Sequence, residues 1–366
     1  MTPVPVVERI ELFPVPDHAF PGGPEFRTWL AANYDAEAVD HALTIVIGLT
    51  RHSTEGLLSV LRERGFEVVR ALGAVWHLRS QTPEGVLETY LTHEIDNGVV
   101  VFYTNFRKTE AEEVPRIKDF LYGDSKSYPI FIRPAILQQV LDELSDRHSD
   151  MQIVDFTAAR NPGSKVAARL RPDVRRTFSY WGFDGRETLR ELSYQYGVLP
   201  RRVVVEIPGL SKFGVDSRGF FTLSRGSLDI LLRIMGQSVD ESRKAMRAFD
   251  GTAFQVFSVQ TAHKAFGIPV STPIRIVLQR GLAYSEVADV KSNLDDYGYT
   301  ILGFEADEGS LFLSSDLLSR SGHRFRVKAD EKSIRMLPCG EPNFAAFMEF
   351  YQFVLNRVDP EAELAT

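Results

Sequence analysis

Three times in this chain an amphipathic helical pattern is closed by a glycine and followed at once by an apolar, strand-like run. Arg64-Gly65-Phe66-Glu67-Val68-Val69 is one instance and Tyr297-Gly298-Tyr299-Thr300-Ile301-Leu302 another, and Tyr196-Gly197 marks the same junction between them. Glycine tolerates the left-handed backbone that turns a helix end back along a sheet. A chain built on such junctions has to alternate helices with strands. The expected fold class is therefore α+β (mixed α/β), which excludes all-helical and all-β architectures.

At 366 residues the chain is long for a single core, and its length points to two or three domains. The spacing predicts a proline-rich N-terminal arm over residues 1–39 with one edge strand at 6–13. An α/β domain follows over 40–158, then a basic linker over 159–176 and an α+β domain over 177–360. In the first domain, strand 43–49 leads to a helix capped by Ser53 or Thr54, and strands 66–72 and 75–78 follow. A second helix is expected from Pro83, with Val86, Leu87, Tyr90 and Leu91 inward, and then strand 99–103. This β-α-β-β-α-β order is the split βαβ, or ferredoxin-like, arrangement. Helices 114–121 and 134–147 and strands 128–132 and 152–156 extend it.

The last domain reads as two similar βαββα units. The first has strand 177–183, helix 186–196, strands 202–207 and 220–223, a helix from Ser227 interrupted at Gly236, and a further helix over 239–249. The second has strand 274–278, a helix from Ser285, a hairpin of 299–305 and 311–314, strands 323–328 and 333–337, and a helix from Pro342. The order of elements resembles the saddle-type pair of βαββ modules in TATA-binding-protein-like folds. The resemblance is one of order alone, and no sequence motif of that family is present. It implies ferredoxin-like or saddle-like βαββ units.

Composition bounds the function. The chain has 42 basic and 49 acidic residues and a net charge of −7, so it is no general polyanion binder, and any nucleic-acid contact has to come from a local patch. With Cys339 as the single cysteine, neither an intrachain disulfide nor a cysteine-based zinc site can form. Glu8, Arg9 and Glu11 precede any apolar run, unlike a secretory signal. The apolar runs, such as 99–103, are far shorter than a membrane span. The expected setting is cytoplasmic, with no membrane partner.

A local patch does exist. Arg160, Lys165, Arg169, Arg171, Arg175 and Arg176 stand against one acid, Asp173, and lead directly into Phe178, Tyr180, Trp181 and Phe183. Arginines of this kind contact phosphates, and aromatic rings stack on bases. In a strand Phe178 and Tyr180 share one face and Trp181 and Phe183 the other, so only one pair is available as a platform. Arg201 and Arg202 enlarge the patch. A second cluster, with Arg324, Arg326 and Lys328 on one strand face, lies beside Arg320 and His323. The ordinary reading of both clusters is a solvated surface.

No other chemistry announces itself. None of the eight histidines forms a metal-spaced pair, and His93-Glu94 lacks the second histidine of HExxH. Cys339 precedes a helix but has Glu341 beside it, which opposes a thiolate. Neither a Walker loop nor a nuclease-type acid pattern is present, and no cofactor or metal is expected. The leading expectation is a non-enzymatic, nucleic-acid-binding or regulatory protein. It would contact DNA or RNA through Arg169, Arg171, Arg175, Arg176, Arg201 and Arg202, with Tyr180, Arg324 and Arg326 as further contacts. The alternatives are a protein–protein scaffold or assembly subunit using the same arginines and aromatics, and an enzyme whose site is assembled from distant residues.

Overall fold

The structure is a computed structural model that describes residues 13–34, 42–82, 85–105, 116–160, 166–172, 174–260, 265–307 and 312–365. The expected strand at 6–13 lies almost wholly outside them, and Lys165 and Asp173 lie outside them as well. Among the described residues the elements are helices and antiparallel strands in three sheets, a mixed α+β fold. The chain forms two compact units. One comprises residues 1–158, 178–191 and 200–242; the other comprises 159–177, 192–199 and 243–366.

The first unit contains α1 (Gly23–Asn33), β1 (Leu43–Thr50), α2 (Thr54–Glu63), β2 (Phe66–Leu72), β3 (Val75–Thr82), β4 (Gly85–Glu94) and β5 (Val99–Thr104). It continues through α3 (Ile117–Gly123), β6 (Ser127–Pro129), α4 (Pro134–Arg147), β7 (Gln152–Arg160), β8 (Arg176–Trp181), α5 (Gly185–Tyr196), β9 (Leu199–Ile207), β10 (Ser211–Asp216), β11 (Phe220–Gly226) and α6 (Asp229–Asp250), although residues 159–160, 176–177, 192–196, 199 and 243–250 of these elements belong to the second unit. Ser53 starts α2 as expected: its hydroxyl accepts the Gly56 N–H at 3.2 Å, which satisfies one free donor of the first turn. Gly65 follows the helix at φ 86°. The strands form one eleven-stranded sheet in the order β2-β3-β4-β5-β1-β11-β10-β9-β7-β8, with β6 also pairing β1. Leu57 and Leu61 of α2 and Phe120 and Leu121 of α3 pack with Val46, Leu91 and Phe102 of the sheet.

The expected second helix of the ferredoxin-like order is a strand. β4 pairs antiparallel with both β3 and β5, and residues 87–93 are buried without a break. A strand covered on both faces has no polar alternation, so Val86, Leu87, Tyr90 and Leu91 match a helical stripe equally well. Thr89, Tyr90 and Thr92, which favour strands, were the contrary signal. The order β1-α2-β2-β3-β4-β5 is therefore βαββββ.

α6 is also a correction: it is one helix of 22 residues, not two. Gly236 costs about 1 kcal/mol relative to alanine, but the buried stripe of Leu231, Ile234, Met235, Ser238, Ser242 and Ala245 runs straight past it. Ser238 and Ser242 donate to carbonyls four residues back at 2.8 and 2.9 Å. Strand β10 has no counterpart among the sequence expectations.

The second unit adds β12 (Ala253–Gln260), β13 (Ala265–Thr272), β14 (Ile274–Val277), α7 (Val287–Tyr297), β15 (Thr300–Ala306), β16 (Leu313–Leu318), β17 (Arg324–Ala329), β18 (Ser333–Pro338), α8 (Phe344–Arg357) and β19 (Glu363–Leu364). β12 and β13 form a hairpin that the sequence did not announce. The other strands form a sheet in the order β15-β16-β17-β18-β14-β19. The stretch from β14 to β18 thus has the strand order of β1 to β5. Gly298 at φ 97° ends α7 where Gly65 follows α2. A register shift falls at Ile301/Gly303 in one ladder and at Val68/Arg70 in the other, the same distance past each glycine. Phe325, Phe350, Phe353 and Tyr299 form an aromatic core, edge-to-face where Tyr299 meets the three phenylalanines and Phe325 meets Phe350, with centroids 5.4 to 6.2 Å apart, and stacked between Phe350 and Phe353.

Candidate nucleic-acid interface

The basic stretch is a built loop. Its organiser is Arg160, at the end of β7, which is 4% exposed. The Arg160 guanidinium donates to three carbonyls: Pro172 at 3.0 Å, Val166 at 2.7 Å and Gly197 at 3.4 Å. Burial pushes its pKa below the ordinary arginine value, and the carbonyl oxygens supply the partners a buried cation needs. Arg160 is thus a structural residue. The closing turn of α5 supplies the other half of the seat. The Gln195 carbonyl accepts the N–H groups of Arg169 and Leu170, both at 2.9 Å. Gly197 has φ 60°, and a Cβ there would collide with the Arg160 guanidinium and the Ala167 carbonyl. Glycine is required at this point for both reasons.

On this seat the arginines divide by environment. Arg169 and Arg175 are exposed, as is Arg171, which holds a left-handed φ of 46°, an uncommon conformation for a side-chain-bearing residue. The Arg169 guanidinium lies 3.9 Å from the Tyr194 ring centroid and Arg176 lies 4.6 Å from that of Tyr196. A ring face holds the cation while leaving its N–H edge free to donate. Among the described residues none of Arg169, Arg171, Arg175 and Arg176 forms an ion pair with an acid.

The other expected contacts have different surroundings. Arg202 pairs with Asp155 at 3.1 Å, and both Arg201 and Arg202 belong to the first unit. Tyr180 stacks on Phe156 with centroids 5.1 Å apart, and its hydroxyl donates to the Asp184 carboxylate. Trp181, on the alternate face of the strand, is 89% exposed, and Phe183, which lies two residues past the end of β8 and not within it as expected, is 83% exposed. Arg324 and Arg326 both grip Asp316, at 2.6 and 2.5 Å. Hydrogen bonds from these two guanidiniums hold the Asp316 pKa at about 2.

Arg357 escaped the sequence reading because it ends the apolar pattern of α8. It is 5% exposed, and its guanidinium has no hydrogen bond among the described residues. Burial and the nearby Arg175 charge push its pKa down against the opposing pull of Asp296 and Tyr297. Its position in the last turn of a helix was the one available signal.

A separate polar cluster lies where β1 meets α2 in the first unit. His52 Nε2 is 2.9 Å from Asp124 Oδ2, and His93 Nδ1 is 3.0 Å from the Thr54 hydroxyl. Burial, the largest single influence, pushes the Asp124 carboxyl up, but hydrogen bonds from His52, Ser127 and the Lys126 backbone, with the His52 charge, together outweigh it and leave the group below its ordinary value. Burial, with the His52 charge, lowers the His93 pKa. Among the described residues no group of three or more histidine, cysteine, aspartate or glutamate side chains could hold a metal. At Cys339, burial and then Asp316 raise the thiol pKa, which disfavours a thiolate. No helix among the described residues is long and apolar enough to cross a membrane.

Residues 136–218 match the model of a family middle domain, AF_0896_M; the matched span contains the arginine loop. Over 374 aligned positions the chain is 24% identical to an uncharacterized protein of Archaeoglobus fulgidus, covering 98% of this chain and 97% of the relative.

Proposed function

We propose that this protein binds nucleic acid, contacting phosphates through Arg169, Arg171, Arg175 and Arg176. One observation carries the reading: these arginines have no acidic partner among the described residues, and Arg169, Arg171 and Arg175 are exposed on a loop whose backbone Arg160 fixes. A preorganised cation loses less freedom on meeting a phosphate than a mobile one. The net charge of −7 confines binding to this patch, so contacts should be few and binding should fall away with salt.

The test is a salt titration of binding to a single-stranded oligonucleotide. The expected result is a linear fall of log K with log salt, with a slope that shrinks by about 0.7 for each arginine changed to alanine. Absence of binding at low ionic strength, or a slope that R169A/R171A/R175A leaves unaltered, sinks the reading.

A second reading, a protein-binding subunit, is favoured by β8. This strand ends the eleven-stranded sheet, and the exposed Trp181 lies in it. An edge strand can accept a partner's strand, and tryptophan is enriched among interface anchors. On this reading W181A/F183A loses a copurifying protein, while R169A/R171A/R175A retains it.

A further inference from the structure

β12 and β13 form a two-stranded sheet by themselves, paired along all eight residues of each strand, from Ala253↔Thr272 to Gln260↔Ala265. The hairpin is unlike the rest of the surface. No residue of either strand is charged. Val256, Phe257 and Val270 are 59%, 53% and 48% exposed. Val256 and Phe257 are consecutive, so apolar surface appears on both faces of the ribbon. The end strands of the other two sheets all carry charge: Glu67 and Arg70 in β2, Arg176 in β8, Glu305 in β15 and Glu363 in β19. Such charges guard an edge against unwanted pairing. A two-stranded ribbon alone is marginal in water, and a third or fourth strand makes it stable.

We infer that this hairpin is a self-association arm, in which β12 pairs antiparallel with β12 of a second copy and two ribbons close into one four-stranded sheet. The choice of edge follows from Pro269. That residue stands opposite Val256 in β13 and has no N–H to offer along its strand, whereas β12 contains neither proline nor glycine. The choice of a second copy follows from the missing charge. An uncharged ribbon offers nothing to an oppositely charged partner, but it complements its own image. A two-fold axis normal to the sheet reverses strand direction and keeps every side chain on its face. One residue therefore sits on the axis and meets its own counterpart, and Val256 and Phe257 are the two at mid-strand.

Copies that each carry −7 repel one another. Salt screens that repulsion and should tighten self-association, the opposite sign to phosphate binding. The two behaviours are therefore separable in one titration.

The experiment is sedimentation velocity across a wide range of protein and salt concentration, on wild type, V256D and F257D, with far-UV circular dichroism as the folding control. A dimer is expected for wild type, with the dissociation constant raised at least about tenfold by an aspartate placed in the new ladder. In a C339S background, V256C or F257C should form an interchain disulfide on mild oxidation. This second measurement decides the matter if either aspartate variant fails to fold. A wild type that is monomeric throughout overturns the inference, even if the hairpin retains some other protein. So does a dimer that survives both aspartate variants and yields neither cross-link.

Discussion

Two arginine clusters in this protein look alike as text and differ as chemistry. Arg169, Arg171, Arg175 and Arg176 lie in a loop, whereas Arg324 and Arg326 stand on one face of β17. In the loop the cations rest on tyrosine rings or face solvent, and no acid neutralises them among the described residues. On β17 one carboxylate, Asp316, lies across the ladder opposite Arg326 and binds both guanidiniums. Counting charges along a chain cannot separate these cases, because the neutralising acid lies on a neighbouring strand. Where a cation's partner sits decides whether it is available to a ligand.

The comparison can be broken most directly in the loop. R169A/R171A/R175A should abolish measurable oligonucleotide binding near physiological salt, while R324A/R326A should leave it within about threefold, since the β17 charges are already engaged. Equal losses in the two variants, read by fluorescence anisotropy, would show that the contrast has no functional weight.

Arg160→Met attacks the loop from beneath. Three carbonyls lose their donor, and an unmet buried acceptor costs about 1–3 kcal/mol. A fall in the urea midpoint is expected, together with weaker oligonucleotide binding, although Arg160 itself touches no ligand. A variant with wild-type stability would mean that the loop needs no organiser.

Asp316→Asn tests the other side. It removes the counter-charge from Arg324 and Arg326, so oligonucleotide affinity should rise several-fold, and the gain should vanish in D316N/R324A/R326A. The carboxyl also has a pH signature. Its folded pKa of about 2 lies below the unfolded value, about 3.9 for an ordinary aspartate. Its contribution to stability is therefore fully present above about pH 4 and is lost as pH falls toward 2. Acid denaturation of D316N compared with wild type should show the difference in that window and none near neutrality.

The smallest effect belongs to the tyrosines. Y194L removes the ring under Arg169, worth about 0.5–1 kcal/mol at an exposed site, and should weaken binding two- to fivefold. Y194F should bind like wild type.

Much of the architecture was legible from local signals. Ser53, Gly65, Gly197 and Gly298 mark helix ends through hydrogen-bonding and backbone requirements that a residue carries wherever it is placed. α4 begins at Pro134 and ends at Arg147 as the apolar spacing demands. β4 and α6 were misread for one shared reason. Continuous burial erases the alternation that identifies a strand, and it carries a helix past a glycine whose local cost is small. The hairpin of β12 and β13 went unseen because Gly267 and Pro269 interrupt the strand pattern.

The site followed the same division. That residues 160–176 are rich in arginine and lead into four aromatics is a property of the sequence alone. The sequence also determined that Phe178 and Tyr180 share one strand face and Trp181 takes the other, because strand geometry alternates. Which face is left to solvent depended on the ring of Phe156, which lies on another strand and claims Tyr180. The assignment of Arg160 to the loop's interior depended on three carbonyls brought together by folding, and the silencing of Arg324 and Arg326 depended on Asp316. Local sequence sets backbone preference and side-chain chemistry. The burial of a charge, and the partner it finds there, are set by residues distant in the chain, and only the tertiary structure brings them within reach.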